Sequence, residues 1–391
     1  MLRLHEPTFG EQEIEAVVEV MRSTQVTMGR RVKQLEREFC AQYGAAHGVS
    51  CNSGSSANLL AIAALTNPVV ADGLRPGDEV IVPALCWSTT VWPLVQHGLV
   101  PVIVDVDRRT FNIDPNEIER AITEKTRAIM CVHVYGNPCN ISALEDIRER
   151  HDLLLIEDCC EALGARYGNH PVGVWGNIAT FSFYFSHHMT TIEGGIVTTF
   201  NRDAAELMRV LRAHGWTRDM EAPPQTHLDP RFTFINQGYN LRLNELQAAI
   251  GLVQLPKLDS YVALRRATAQ AWLAELEPFG QSLEFQVEEP KGASSWFGFP
   301  VVVREEAPCM PYDIKAALNE AGVETRPIIC GNIALQPGMQ LYPHRVVGDL
   351  TAATRVMRNG FSWGNHQSVT PEQRELVRRT IAAALVERKT A

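Results

Sequence analysis

Two adjacent histidines, His187 and His188, stand in a polar turn between the aromatic run Phe181–Phe185 and the triplet Glu193-Gly194-Gly195. Imidazole is an effective acid and base near neutral pH, so a histidine held at the end of a strand is suited to moving protons. Paired histidines can also hold a metal. Sequence neighbours rarely point at one ion, however, and no carboxylate or cysteine lies at helical ligand spacing, so no metal is expected. A second chemical feature is Asp158, which follows the apolar run Leu153–Ile156. An acid beyond the carboxyl end of a parallel strand faces the usual ligand crevice. There it could keep a pyridine nitrogen protonated and make that ring an electron sink, or it could simply cap the next helix. The third feature is Asn52-Ser53-Gly54-Ser55-Ser56-Ala57-Asn58, just ahead of an apolar helical run. Free N–H groups at a helix start, with serine hydroxyls beside them, make a phosphate cradle; a plain serine cap is the other reading.

The elements that must position these groups follow from periodicity. Glu11–Met21, Val32–Tyr43 and Ser56–Leu65 have helical spacing. Short apolar runs follow at Glu79–Pro83, Pro101–Val106, Ala128–Val134, Leu153–Glu157, Ala179–Tyr184 and Gly195–Phe200, with helical patterns such as Pro115–Ile122 and Ala143–Arg150 between several of them. Apolar strands alternating with helices predict a buried, mostly parallel sheet. The pattern changes near Leu255-Pro256. Beyond it lie a long helix over Lys257–Leu276, a strand over Trp296–Val303, a helix over Pro311–Ala321 and a strand over Glu324–Ile329. Two domains are expected, 1–255 and 256–391, and Met220–Arg231 reads as a loop.

The 391 residues carry a net charge of -9 with 45% hydrophobic content, a globular balance that disfavours a nucleic-acid partner. No run nears the roughly 20 apolar residues of a membrane span. Acids near the start, in Glu11–Glu15, oppose a signal-peptide reading, so a cytoplasmic enzyme is expected. Only six lysines occur, at 33, 125, 257, 291, 315 and 389, which leaves none between Lys125 and Lys257.

These segments resemble the DegT/StrS family of nucleotide-sugar aminotransferases, fold type I of the pyridoxal-phosphate (PLP) enzymes, through most of the chain. Gly77–Pro83, Val106-Asp107, His133–Gly136, Gly238–Arg242 and Asn244–Ala249 carry the resemblance. The family pattern places a lysine at the end of Ser-Phe-x-x-x-Lys. Here Ser182-Phe183-Tyr184-Phe185-Ser186 leads to His187, and the lysine gap leaves no substitute. Histidine there, and His-His before Glu-Gly-Gly, resembles the nucleotide-sugar 3-dehydratases, as do Thr325-Arg326-Pro327 and Gly331-Asn332. The iron–sulfur cousins carry a Cys-x-Cys, which this chain lacks. Phe185, where proline is common, and the apolar run Ile333–Pro337 depart from the pattern.

The resemblance implies a large cofactor-binding domain with a mostly parallel seven-stranded sheet and a smaller α+β domain. It implies PLP and its amine form, pyridoxamine phosphate, as cofactors, with a nucleotide sugar and L-glutamate as partners. The implied reaction, in 3,6-dideoxysugar biosynthesis, removes the C3 hydroxyl of a 4-keto-6-deoxyhexose nucleotide, GDP-4-keto-6-deoxy-D-mannose first among candidates, with release of ammonia. A CDP- or dTDP-linked substrate is the alternative; a residual aminotransferase or a PLP-binding regulator without turnover are others. His187 is implied as catalytic base. Gly54, Ser55 and Ser56 would cradle the phosphate with Ser182 assisting, Trp87 would stack on the ring, and Glu161 would lie near the ring hydroxyl. Asn240 would reach the phosphate of a neighbouring subunit, giving a homodimer with shared sites. His188, His214 and Arg326 are implied as substrate-binding.

Overall fold

A computed structural model describes residues 1–220 and 223–386. Eight strands form its main sheet, in the order His47–Cys51, Gly195–Thr199, Ile178–Ser182, Leu154–Asp158, Thr126–Val132, Glu79–Pro83, Val100–Val104 and Arg345–Val346. Gly195–Thr199 alone runs against the others. The central strands are buried on both faces, which is why their sequences are unbroken apolar runs rather than alternating ones. The expected seven strands become eight because the two residues Arg345–Val346, far along the chain, pair with the edge strand Val100–Val104. So short a strand leaves no periodic signature. Among the described residues no helix is long and apolar enough to cross a membrane.

A second sheet, Leu283–Phe285, Phe299–Val303, Gly360–Trp363 and Thr325–Arg326, carries its own core around Trp272, Phe299 and Trp363. Leu2 joins that core and bridges in parallel to Val323. Two of its strands are shorter than the sequence suggests. Trp296 takes a left-handed backbone (φ +48°), and Ser295 and Phe297 donate their N–H groups to Gly136 and Tyr135 carbonyls instead of to a ladder, so the strand starts only at Phe299. Thr325–Arg326 ends at Pro327, which has no N–H to donate.

The long helix spans Leu258–Leu276 after a single 3-10 turn at Leu255–Lys257. The helix Gly54–Leu65 starts beyond the carboxyl end of His47–Cys51, and Ser53 caps it by accepting the Ser56 N–H at 3.0 Å. Within the loop read over Met220–Arg231, Glu221 and Ala222 lie outside the described residues.

Candidate active site

A cavity of about 350 Å³ opens at the carboxyl ends of the central strands. The Ser53–Ser55 turn, Asn58 and Ser182 line it, with Ser182 packed against Gly54. Gly54 is held there by space: a Cβ on it would lie 2.5 Å from the Ser182 Cβ. Gly54→Ala is therefore expected to cost about 1–3 kcal/mol of stability through overpacking, read as a lower melting temperature. An unchanged melting temperature would mean that the turn yields.

Asp158 ends its strand 4% exposed. Its Oδ2 accepts from Asn58 Nδ2 at 2.9 Å and Thr90 Oγ1 at 2.8 Å, and its Oδ1 accepts the Cys160 N–H at 3.1 Å. Three donors converge on this one carboxylate and fix its orientation. The Asn58 carbonyl in turn accepts from Thr180 Oγ1 at 2.6 Å, which fixes the amide. Above this carboxylate, at the start of the helix Ser88–Gln96, the indole of Trp87 is 56% exposed on the cavity wall. So large an apolar ring left open beside a cavity suits a flat ligand.

His187 lines the same cavity. Its Nδ1 is buried without a partner, which leaves Nε2 toward the open space. Tyr184 and Phe297 meet its ring edge-on at 5.8 and 5.0 Å. Burial, then the positive charges of Arg326 and Arg265 and the nearby His5, push its pKa down to about 3, so the ring of the unliganded cavity is neutral. Among the described residues no lysine lines the cavity: Lys257 pairs with Glu13, and Lys291 reaches Ser142.

The structure places His188 away from the cavity lining. Successive residues of this turn point apart, and His188 is fully buried behind the wall, its Nε2 3.1 Å from the Ser295 carbonyl and its ring against Phe297. His214 and Asn240 also lie off the cavity of their own chain. Both are exposed and bracket one loop, with Ala213 bridged to Asn240 and the His214 N–H on the Tyr239 carbonyl at 2.7 Å. Ser56 is turned back to Ser53, leaving Gly54 and Ser55 on the wall.

Glu161 and Arg326 face each other across the cavity, Nη2 to Oε1 at 3.9 Å. Arg326 also reaches the Tyr135 hydroxyl at 3.3 Å and lies over the Phe297 ring at 5.4 Å. Burial raises the Glu161 pKa to about 7; Arg326 and the Tyr135 N–H oppose this, and Asp158 adds to it. Glu161 is thus half protonated near neutrality, in a cavity that Asp158 and Glu193 also line. Asn58, Thr90, Tyr184 and Phe297 are site residues that the sequence did not single out. Asn58 carried a faint signal, since it falls one helical turn after Gly54.

One cluster of possible metal ligands exists among the described residues, His133, Glu157 and Cys159, with ligand atoms within 4.8 Å of one another. It is a closed hydrogen-bond network. His133 Nδ1 accepts the Cys139 N–H at 2.9 Å, so its Nε2 proton points to Glu157 at 3.2 Å. Glu157 also takes the N–H groups of Gly173, Trp175 and Gly176.

A sequence profile of the DegT/DnrJ/EryC1/StrS aminotransferase family matches residues 7–382. The GDP-4-keto-6-deoxy-D-mannose 3-dehydratase of Yersinia pseudotuberculosis is 39% identical over 374 residues, 94% of either chain. Two solved structures of GDP-4-keto-6-deoxymannose-3-dehydratase superpose with a TM-score of 0.93 at 35% identity, covering 97% of this chain and 100% of theirs. One holds a trapped PLP-glutamate geminal diamine, and the other, a mutant, holds GDP-perosamine.

Proposed function

This chain belongs to the DegT/DnrJ/EryC1/StrS aminotransferase family, and we propose that it dehydrates a nucleotide sugar rather than aminating one. Its substrate in this reading is GDP-4-keto-6-deoxy-D-mannose, its amino donor and two-electron reductant L-glutamate, and its products a 4-keto-3,6-dideoxy sugar nucleotide, 2-oxoglutarate and ammonia. The observation that carries the reading is the cavity itself: it retains Asp158, Gly54 and Trp87, and it presents a neutral histidine and no lysine.

The residues fit a phosphorylated pyridine. The helix start at Gly54 and Ser55 offers N–H groups to a phosphate, Asp158 offers a carboxylate oxygen to a ring nitrogen, and Trp87 offers a flat face. The chemistry supplied by pyridoxal phosphate, when bound, is an electron-withdrawing ring and, after amination by L-glutamate, an amine that condenses with the C4 ketone of the sugar. The protein does the rest. Asp158 keeps the ring nitrogen protonated, so the ring can accept electron density. His187 takes a proton at Nε2 from the carbon that joins ring and amine. The same imidazole, now charged, delivers that proton to the departing C3 oxygen. Arg326 binds an anionic group of sugar nucleotide or glutamate. Histidine suits this cycle because, unlike lysine, it cannot hold the cofactor covalently and divert it to simple amino transfer.

Glu161 donates its carboxyl proton to the ring hydroxyl. Its role as a donor sets a pH dependence: as pH rises through about 7 the proton is lost, and cofactor affinity is expected to fall. Glu161→Gln, a permanent donor, is expected to hold affinity level over about one pH unit on either side. A parental slope in that variant, measured by fluorescence titration of cofactor, refutes the assignment.

The exposed His214 and Asn240 complete the cavity of a second copy, so the working unit in this reading is a homodimer. Residues 1–255 act as the cofactor-binding domain and 256–391 as the small domain, and the enzyme works in the cytoplasm. The direct test combines enzyme, PLP, L-glutamate and GDP-4-keto-6-deoxy-D-mannose. Free ammonia and a sugar lighter by one oxygen are expected; a stable 4-amino sugar without ammonia sinks the proposal.

A further inference from the structure

Arg265, in the helix Leu258–Leu276, is 2% exposed. Its Nη1 donates to the carbonyls of Asn365 at 2.8 Å and Phe297 at 3.0 Å and lies 3.5 Å from that of Trp296. Its Nε is buried with no partner. Burial lowers its pKa to about 10, and no carboxylate contributes. A guanidinium buried without a counter-ion is costly, and three carbonyl dipoles compensate it only in part. A methionine of similar volume would avoid that cost. Folding alone therefore gives little reason for an arginine here.

What the arginine holds is the back wall of the cavity. Two of its three carbonyl partners belong to the irregular segment Ser294–Phe297, where Trp296 is left-handed and the Ser294 carbonyl is held by Arg266 at 2.7 Å; the third, Asn365, itself donates from Nδ2 to the Trp296 carbonyl at 3.1 Å. The His188 ring meets the Ser295 carbonyl of the same segment. The ring of Phe297 then stands against both His187 and His188 and beneath Arg326.

We propose that Arg265 is a positioning residue for the dehydration: from behind the wall it clamps the Trp296–Phe297 carbonyls, and through Phe297 it fixes where the His187 imidazole stands in the cavity. The proposal rests on the reading of His187 as the base. The charge has a second effect in the same direction. The groups that face His187 are Arg326 from its strand, His5 from the N-terminal segment, Tyr184 and His188 from its own turn and Arg265 from the helix, with Glu161 across the cavity paired to Arg326. The Arg265 charge opposes protonation of the ring.

Arg265→Met and Arg265→Lys test this. In Arg265→Met, kcat is expected to fall at least about tenfold, the scale of a misplaced catalytic group, with KM for both substrates within about threefold of the parent. Without the cationic neighbour, the His187 ring in the cofactor-free protein, followed by NMR, is expected to titrate at higher pH. The acid limb of kcat/KM is expected to move up with it. Arg265→Lys keeps the charge and should restore most of both. A folded Arg265→Met with parental kcat and an unmoved His187 titration overturns the proposal, as does Arg265→Lys behaving like Arg265→Met. Should Arg265→Met not fold, Phe297→Leu carries the test: lower kcat, unchanged KM and a His187 titration that stays low are expected, and parental kcat there overturns the clamp. If His187→Asn keeps full turnover, the base reading fails by itself, while the His187 titration in the cofactor-free protein still reports on Arg265.

Discussion

His187→Asn is expected to lower kcat for ammonia release by about 10²–10⁴-fold, the usual contribution of a positioned acid–base group. Asparagine fills similar space and can still form hydrogen bonds, but it cannot take a proton. Cofactor affinity should change little, because the phosphate turn, Asp158 and Trp87 are untouched. His187→Lys is the sharper variant. A lysine here would share the cavity wall with Glu161, paired to Arg326, and Asp158, held by three donors, and would lie between the buried Phe297 and the cations that already oppose a charge on this side chain. Desolvation then favours its neutral amine, which can attach to the cofactor. A visible absorbance absent from the parent and loss of dehydration are expected. Full turnover in His187→Asn places the base elsewhere.

Asp158→Asn is expected to cost about 10²-fold or more in kcat, the order found when one charge-stabilising partner is removed. The reason lies in the donors around it. Asn58 and Thr90 both point at Oδ2. An amide can present its oxygen to them, but it then turns an N–H₂ toward the ring nitrogen, which needs an acceptor if it is to stay protonated. If instead the amide nitrogen faces Asn58 and Thr90, their donors go unmatched, at about 1–3 kcal/mol of stability. The measurements are kcat with saturating PLP and the melting temperature of the cofactor-free protein. An Asp158→Asn enzyme within about threefold of parental kcat removes Asp158 from the electron-sink role.

Much of the site was legible along the chain because its parts sit at the ends of regular elements. Asp158 closes an apolar strand, Gly54 opens a helix, and His187 falls at a fixed distance from Ser182, so local patterning sets each of them. The misplaced residues are those whose direction depends on the turn they occupy. His188 reads like His187 in sequence, but the chain reverses between Tyr184 and Thr191 and sends one ring into the cavity and the other into the wall. The eighth strand and the late start of Phe299–Val303 were illegible for a related reason: two paired residues, or one left-handed tryptophan, leave no period.

The sequence by itself determined the chemistry: six lysines with none from 126 to 256, a histidine where the cofactor-holding amine belongs, and an acid at a strand end. Those facts are one-dimensional, and no folding could alter them. The tertiary structure decided how those groups are tuned. Asn58 lies 100 residues from Asp158, Arg326 lies 165 from Glu161, and Arg265 lies 32 from Phe297. Burial and electrostatic pairing are set by what the whole chain brings within a few ångströms, and no local window of sequence contains that information.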